Sequence, residues 1–260
     1  MEDATRQTLA QELASVYAGA TPVSPLTERY ADMDLEDAYR IQELQVEKWL
    51  SEGRRIRGRK IGLTSKAMQR QLGVTEPDYG VLLDDFFYGE STQVGSADFT
   101  QPRIEPELAF ILGKELRGPN INVADVVDAT AWVVPSIEII DSRIADWKIK
   151  YFDTVADNAS SGGVVLGSTP RRINEVDLRL QGVNVFVNGQ LTETGAGAAA
   201  LGSPLNSIVW LANVLGKRGI ALEAGQVVLP GSVTKAISVQ SGDTVSCDFA
   251  GMGSVSINFS

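Results

Sequence analysis

Apolar positions return at helical spacing through the first fifty or so residues and then give way to short, β-rich runs. Thr8 to Tyr17 carries one such helical stripe. Asp34 stands where an N-cap would open a second helix, running through Trp49 and Leu50 and stopping near Gly53. From Gly62 onward glycine becomes frequent. Strand-like runs follow at Leu108 to Leu112, Ser136 to Ile140, Gly163 to Leu166, Val183 to Val187, Gln226 to Leu229, Ala236 to Val239, Thr244 to Phe249 and Ser254 to Phe259. Asn188-Gly189, set between Val187 and Leu191, is a hairpin turn signal. Two helices are expected among these strands, one around Val123 to Trp132 and one capped by Ser203, with Pro204 at its first position and a stop at Gly219. Strands that outnumber helices, with helices gathered at the N-terminal end, predict an α+β fold around a mixed or antiparallel sheet. Residues 1–75 are expected to form a helical region packed on a β-rich core of residues 76–260, the two making one integrated domain.

Composition narrows the function classes. A chain of 260 residues with 43% hydrophobic content can bury a full core. A formal charge of −10 without a dense Lys/Arg run argues against nucleic acid or an anionic membrane as partner; the one basic cluster, Arg54 to Lys60, is short. The single cysteine, Cys247, lies in an alternating strand pattern and reads as a small core residue of a protein from a reducing compartment. The N-terminus lacks a signal-peptide core, and no stretch approaches the roughly 18 apolar residues of a membrane helix, so a soluble cytoplasmic protein is expected.

The chain contains no histidine. Catalysis of the Ser-His-Asp or Cys-His kind and imidazole-ligated zinc are therefore excluded, and any metal must be held by oxygen. Glu105 and Glu107, in Arg103-Ile-Glu-Pro-Glu107, run into the strand-like Leu108 to Leu112 and project from one face. Glu138 lies in Ser136-Ile-Glu-Ile-Ile140 and can complete a three-carboxylate set for Mg²⁺ or Mn²⁺, with the remaining positions left to water or a chelating substrate. Otherwise these acids would lie on a solvated sheet face or pair with Arg103 and Arg143. An acid flanked by Ile137, Ile139 and Ile140 is an odd choice for a strand with nothing to bind.

Lys60 precedes a glycine-containing turn in Gly58-Arg-Lys-Ile-Gly-Leu-Thr-Ser65, and Asp78 follows in Glu76-Pro-Asp-Tyr-Gly80. A lysine near a metal or in a drier pocket has its ammonium form disfavoured, which brings it into the range useful for proton transfer, and an aspartate beside it can tune it. The segment Asp153 to Ser161 offers hydroxyl, amide and backbone donors that can close over an anionic substrate, or it is a turn-rich linker. Leu63, Ser161, Gly231 and Ser232 are candidates for substrate contacts. With no second arginine motif evident in these segments, a short monocarboxylate suits them better than a dicarboxylate.

Taken with Gln71 to Gly80, Ile137 to Arg143 and the terminal Gly251-Met-Gly-Ser-Val255, these motifs resemble, in the same order from about Asp34 to Ser260, the 2-hydroxypenta-2,4-dienoate (2-keto-4-pentenoate) hydratases. These belong to the hydratase and decarboxylase branch of the fumarylacetoacetate hydrolase superfamily. The resemblance implies a mixed β-sheet roll with N-terminal helices, a homo-oligomer, a Mg²⁺ or Mn²⁺ site at Glu105, Glu107 and Glu138, and catalytic roles for Lys60 and Asp78. It further implies metal-dependent hydration of a small-molecule 2-hydroxydienoate to a 4-hydroxy-2-oxo acid in the meta-cleavage catabolism of aromatic or steroid rings, beside the other enzymes of such a pathway. The 4-oxalocrotonate decarboxylases share the Glu-x-Glu, the third Glu and the Asp-Asn-Ala-Ser loop, and so stand as the alternative. They differ after the matching arginine, at Ile144-Ala-Asp-Trp-Lys148 here. A non-catalytic binding protein stabilised by metal is the alternative of a different class.

Overall fold

The computed structural model describes residues 1–260, with the side chains of all but residues 68, 71 and 72. The chain opens with helices α1 (Asp3–Tyr17), α2 (Leu26–Arg29) and α3 (Leu35–Ser51), then alternates β1 (Ile56–Gly62), α4 (Lys66–Leu72) and β2 (Asp78–Leu83). Strands β3 (Phe87–Tyr88), β4 (Gln93–Val94) and β5 (Arg103–Leu112) lead to α5 (Val123–Ala129), β6 (Thr130–Ile140), α6 (Tyr151–Ala156) and β7 (Ser161–Leu166). The hairpin β8 (Gly182–Val187) and β9 (Gln190–Ala196) precedes α7 (Pro204–Lys217), and β10 (Val227–Leu229), β11 (Ile237–Ser238), β12 (Thr244–Phe249) and β13 (Gly253–Phe259) close the chain.

Local chemistry explains most of these boundaries. Asp34 caps α3 by accepting from the Asp37 N–H at 2.8 Å while the Asp37 carboxylate accepts from the Asp34 N–H at 3.2 Å. Asp37 also meets Arg6 of α1 at 2.7 Å, which ties the two helices together. Asn188 and Gly189 both take left-handed backbone, as the two-residue hairpin turn between β8 and β9 requires. The helix expected over Val123 to Trp132 is shorter than its apolar pattern suggested. It ends at Ala129, because Thr130 and Trp132 are claimed by β6 through pairing with Leu112 and Ile111 of β5.

Eight strands form the larger, mixed sheet, in the order β2-β1-β10-β5-β6-β7-β3 with β11 beside β5. Five form the smaller one, β4-β13-β12-β8-β9. Register shifts interrupt the ladder between β5 and β6 at Ile111/Leu112 and that between β6 and β7 at Ile139/Ile140, irregularities of the kind that increase local bend and twist. β1 lies inside the segment 1–75 yet is an inner strand of this sheet, so the boundary at residue 75 crosses the sheet between β1 and β2.

The alternation of β5 and β6 sends Ile104, Leu108, Phe110, Val133, Ile137 and Ile139 into the main core, shared with α1, α3, α7 and the smaller sheet. The other face carries Ala109, Val134, Val164, Val227 and Leu229, and at one end of it the same parity delivers Glu105, Glu107 and Glu138. Cys247 is sealed in the core of the smaller sheet. One stretch, Gly197–Lys217, is long and apolar enough by composition to cross a membrane, contrary to the sequence expectation that none approaches it. Its helix proper, α7, has only 14 residues, and Ile208, Leu211, Ala212 and Leu215 pack into the core, which accounts for the apolarity.

Candidate active site

Register brings the three acids together. Glu105 lies directly opposite Glu138 on the paired strands, and Glu107 lies opposite Ser136. One carboxylate oxygen from each of Glu105, Glu107 and Glu138 falls within 4.8 Å of the others. Glu107 and Glu138 are fully buried. The backbone N–H of Gly231 donates to Glu107 Oε2 at 2.7 Å, while Glu107 Oε1 and both Glu138 oxygens have no hydrogen-bond partner. Orphaned acidic oxygens converging in a buried space are costly alone and are satisfied by a cation, so this donor set fits a hard divalent ion. Burial, reinforced by mutual repulsion, pushes Glu105 up to about 7 and Glu107 well above the usual carboxylate range.

Lys60 of β1 and Asp78 of β2 come from antiparallel neighbours, Lys60 opposite Gly80 and Gly62 opposite Asp78. They lie on either side of Gly62: a methyl group there would stand 2.2 Å from Asp78 Oδ1 and in ordinary contact, 3.5 Å, with Lys60 Nζ, so glycine leaves the Asp78 carboxylate its place. Lys60 Nζ donates to the Ala159 carbonyl at 3.0 Å and lies 3.3 Å from Glu138 Oε1, an ion pair without hydrogen-bond geometry. Burial alone would lower the lysine, as the sequence suggested. Glu138, Glu105, Asp78 and Glu107 together outweigh it and hold Lys60 as an ammonium, above its ordinary value. Burial raises Asp78, whose Oδ2 accepts from Thr154 Oγ1 at 3.1 Å and whose Oδ1 has no partner.

The segment Asp153 to Ser161 is neither a lid nor a loose linker. Asp153 accepts from the backbone N–H and hydroxyl of Thr27, and Asn158 joins the edge of β2 as a strand would, accepting from the Val81 N–H at 2.7 Å and donating to the Val81 carbonyl at 2.9 Å. Buried Arg143 meets Asp157 at 2.6 Å, donates to the Ser161 carbonyl at 3.0 Å and stacks 4.0 Å from the Tyr17 ring centroid. Left-handed backbone at Asn158, Ala159 and Ser160 turns the Ala159 carbonyl toward Lys60.

A cavity of about 280 Å³ opens over these groups, lined among others by Lys60, Asp78, Glu105, Thr154 and Ala159. Leu63, held at φ 57°, and Ser232 lie on its wall. Gly231 acts beneath it through Glu107. Ser161 does not reach the cavity: its hydroxyl donates to the Asn158 carbonyl at 2.8 Å, and it is Ser160 that lines the wall, its buried Oγ unpartnered. Sequence reasoning did not single out Ser160, Arg103 and Trp147 as site residues, and all three line the cavity. A larger surface recess of about 680 Å³ beside α3 contains none of the candidate residues and is set apart from this chemistry.

Residues 59–259 match the family model for the fumarylacetoacetate (FAA) hydrolase C-terminal region. The chain belongs to the fumarylacetoacetate hydrolase family. Within that family it is 44% identical over 254 residues to 2-keto-4-pentenoate hydratase of Paraburkholderia xenovorans, with 98% of this chain and 94% of that one covered. It is 52% identical over 215 residues to 2-hydroxypent-2,4-dienoate hydratase of Pseudomonas putida, covering 82% of this chain and 96% of that one. Among solved structures, 4-oxalocrotonate decarboxylase from Pseudomonas putida G7, complexed with magnesium and adipate, matches with a TM-score of 0.97 at 36% identity, covering 100% of this chain and 99% of that one. The mixed-sheet roll with N-terminal helices is thus the fold of this family.

Proposed function

We propose that this protein is a metal-dependent hydratase that converts 2-hydroxypenta-2,4-dienoate, or a close homologue, to a 4-hydroxy-2-oxo acid. The carrying observation is a cavity that reaches a buried three-carboxylate cluster at Glu105 and is lined beside it by a buried lysine and aspartate on either side of Gly62. Glu105, Glu107 and Glu138 would hold Mg²⁺ or Mn²⁺, which would supply a Lewis-acid anchor for the substrate's 1-carboxylate and 2-oxygen. Lys60, which lines the cavity with its Nζ 3.3 Å from Glu138, would give a proton to C5 as the dienol becomes a 2-oxo-3-enoate and take one up from the 2-hydroxyl. Asp78 lines the cavity with an unpartnered Oδ1 and an Oδ2 fixed by Thr154, which suits it to orient a water at C4, take its proton and pass that proton on to C3. Leu63 and Ser232 shape the wall along the dienoate, and Ser160 offers a hydroxyl there. This reading places the enzyme in the cytoplasm, after ring cleavage of an aromatic or steroid compound.

Decarboxylation of 4-oxalocrotonate is the second reading, favoured by the close superposition on a decarboxylase. It would use the same carboxylate centre without placing a water. Feeding 2-hydroxypenta-2,4-dienoate and 4-oxalocrotonate separately in ¹⁸O-labelled water separates the two. The expected result is label at C4 of 4-hydroxy-2-oxopentanoate with no CO₂ from the monocarboxylate. Rapid CO₂ release from 4-oxalocrotonate, with no label incorporated from the pentadienoate, would transfer the assignment to the decarboxylase.

A further inference from the structure

Alternation along β1 sends Lys60 to the catalytic cavity and its neighbour Arg59 to the opposite face of the sheet, where Arg59 lies across from Val81 of β2 and Val228 of β10. There it lines the recess of about 680 Å³ beside α3. Arg59 is only 6% exposed, and its Nε is sealed from solvent without an acceptor. Its terminal nitrogens also lack a partner among the described residues, so the open edge of the guanidinium fork is the part that meets the recess. Burial lowers Arg59 from the ordinary arginine value, and Tyr79 and Glu223 offset this only in part. Buried charges are paired as a rule, and this one has no counter-charge of its own.

The acids around the recess are engaged elsewhere or stand off. Glu43 pairs with Arg218 and, at 3.4 Å, with Arg40, while Glu47 meets Arg40 at 2.7 Å. Glu223 is exposed and forms no ion pair with Arg59. Two other arginines on the wall are also taken, Arg54 by Asp85 at 2.6 Å and Arg117 by Glu115 at 2.9 Å. Much of the remaining wall is apolar, with Val46, Leu50, Ile56 and Ile220 along it, and Leu50 is left 41% exposed. Gln226 takes the Glu223 N–H on its Oε1 at 3.1 Å, which leaves its amide nitrogen free to donate. A volume of this size is that of a small-molecule site, and its lining asks for a ligand with one anionic end and an apolar body.

We propose that this recess is a second ligand site, which binds the carboxylate of a small amphipathic acid on the Arg59 guanidinium and its apolar body against Val46, Leu50 and Ile220. It shares no residue with the catalytic cavity and stands or falls apart from the hydratase reading. The Mg²⁺-loaded protein is titrated calorimetrically with 3-phenylpropanoate and with 3-phenylpropanamide, which share a body and differ in charge. The acid should bind tighter by about tenfold or more, the size of a charge-assisted hydrogen bond in a partly dry site. Arg59→Leu should lose that preference, and Arg59→Lys, which keeps the charge without the planar fork, should retain part of it. Glu107→Gln, which disturbs the cation centre, should bind the acid as the unaltered protein does. Equal affinities for acid and amide in the unaltered protein would overturn the proposal whatever the variants do. So would a preference that survives in Arg59→Leu and disappears in Glu107→Gln, since the carboxylate would then sit on the cation. If the unaltered protein bound neither compound and Arg59→Leu changed its sedimentation, the arginine would belong to a contact between copies of the chain and the proposal would be wrong.

Discussion

At the scale of single residues, Glu107 is the most exposed to a simple test because it is fully buried, has one oxygen committed to Gly231 and the other to nothing. Glu107→Gln keeps shape and removes charge. Cation affinity, read by titration with Mg²⁺ or Mn²⁺, should fall at least tenfold, since loss of even an outer partner of a metal ligand costs about 10–100-fold, and turnover should fall with it. Unchanged titration would dismiss Glu107 as a ligand. Lys60 should behave differently, because its role is to move a proton. In Lys60→Met, turnover should drop by roughly 10² or more while affinity for a 2-oxo acid is largely kept; collapsed binding with normal residual chemistry would make Lys60 a carboxylate clamp. The three acids were legible in the chain because charged residues in apolar strand-like runs stand out locally. Ser160, Arg103 and Trp147 were not, since what marks them is an unpartnered hydroxyl, an unpaired guanidinium and a left-handed turn, which only the folded backbone brings to one cavity.

At the scale of elements, chain periodicity located the capped helix α3, the Asn-Gly hairpin and the strands β12 and β13 to within a residue or two, because each carries its own signal. It passed over β1, whose Ile-Arg-Gly-Arg-Lys-Ile-Gly does not alternate in polarity and is a strand only because β2 and β10 pair with it on either side. It also could not tell that the Asp153 to Ser161 segment is a brace. That brace depends on the fully buried Arg143–Asp157 pair. Arg143→Met leaves an uncompensated buried carboxylate and should cost about 3–5 kcal/mol in denaturant unfolding, with Arg143→Met/Asp157→Asn recovering part of the loss. Activity should fall in both, because the brace presents the Ala159 carbonyl to Lys60. A destabilisation under about 1 kcal/mol would show that the brace is held by Asn158 and Asp153 without the ion pair.

At the scale of the whole molecule, the site residues come from β2, β1, β5 and β6 and from the turn after β10, which are consecutive strands of the larger sheet. A cation there cross-links the middle of the fold, so its removal should be felt in global stability as well as in turnover. The pH dependence gives the sign. Without a cation, burial holds Glu105 up at about 7, against a reference value of 4.5, and raises Glu107 well above the usual carboxylate range. The folded state then keeps protons that the unfolded chain releases above about pH 4.5, and stability declines as pH rises through the window from there to about 7. A bound dication favours the ionised carboxylates and removes this penalty. The rise in melting temperature on adding Mg²⁺ or Mn²⁺ should therefore be small near pH 5 and large near pH 8. A pH-independent rise would place the ion elsewhere. If the large rise at high pH came with no turnover of any 2-hydroxydienoate, the centre would be a structural staple and the protein a binding module; hydration lost and regained over the same cation titration would tie the stabilising ion to the chemistry.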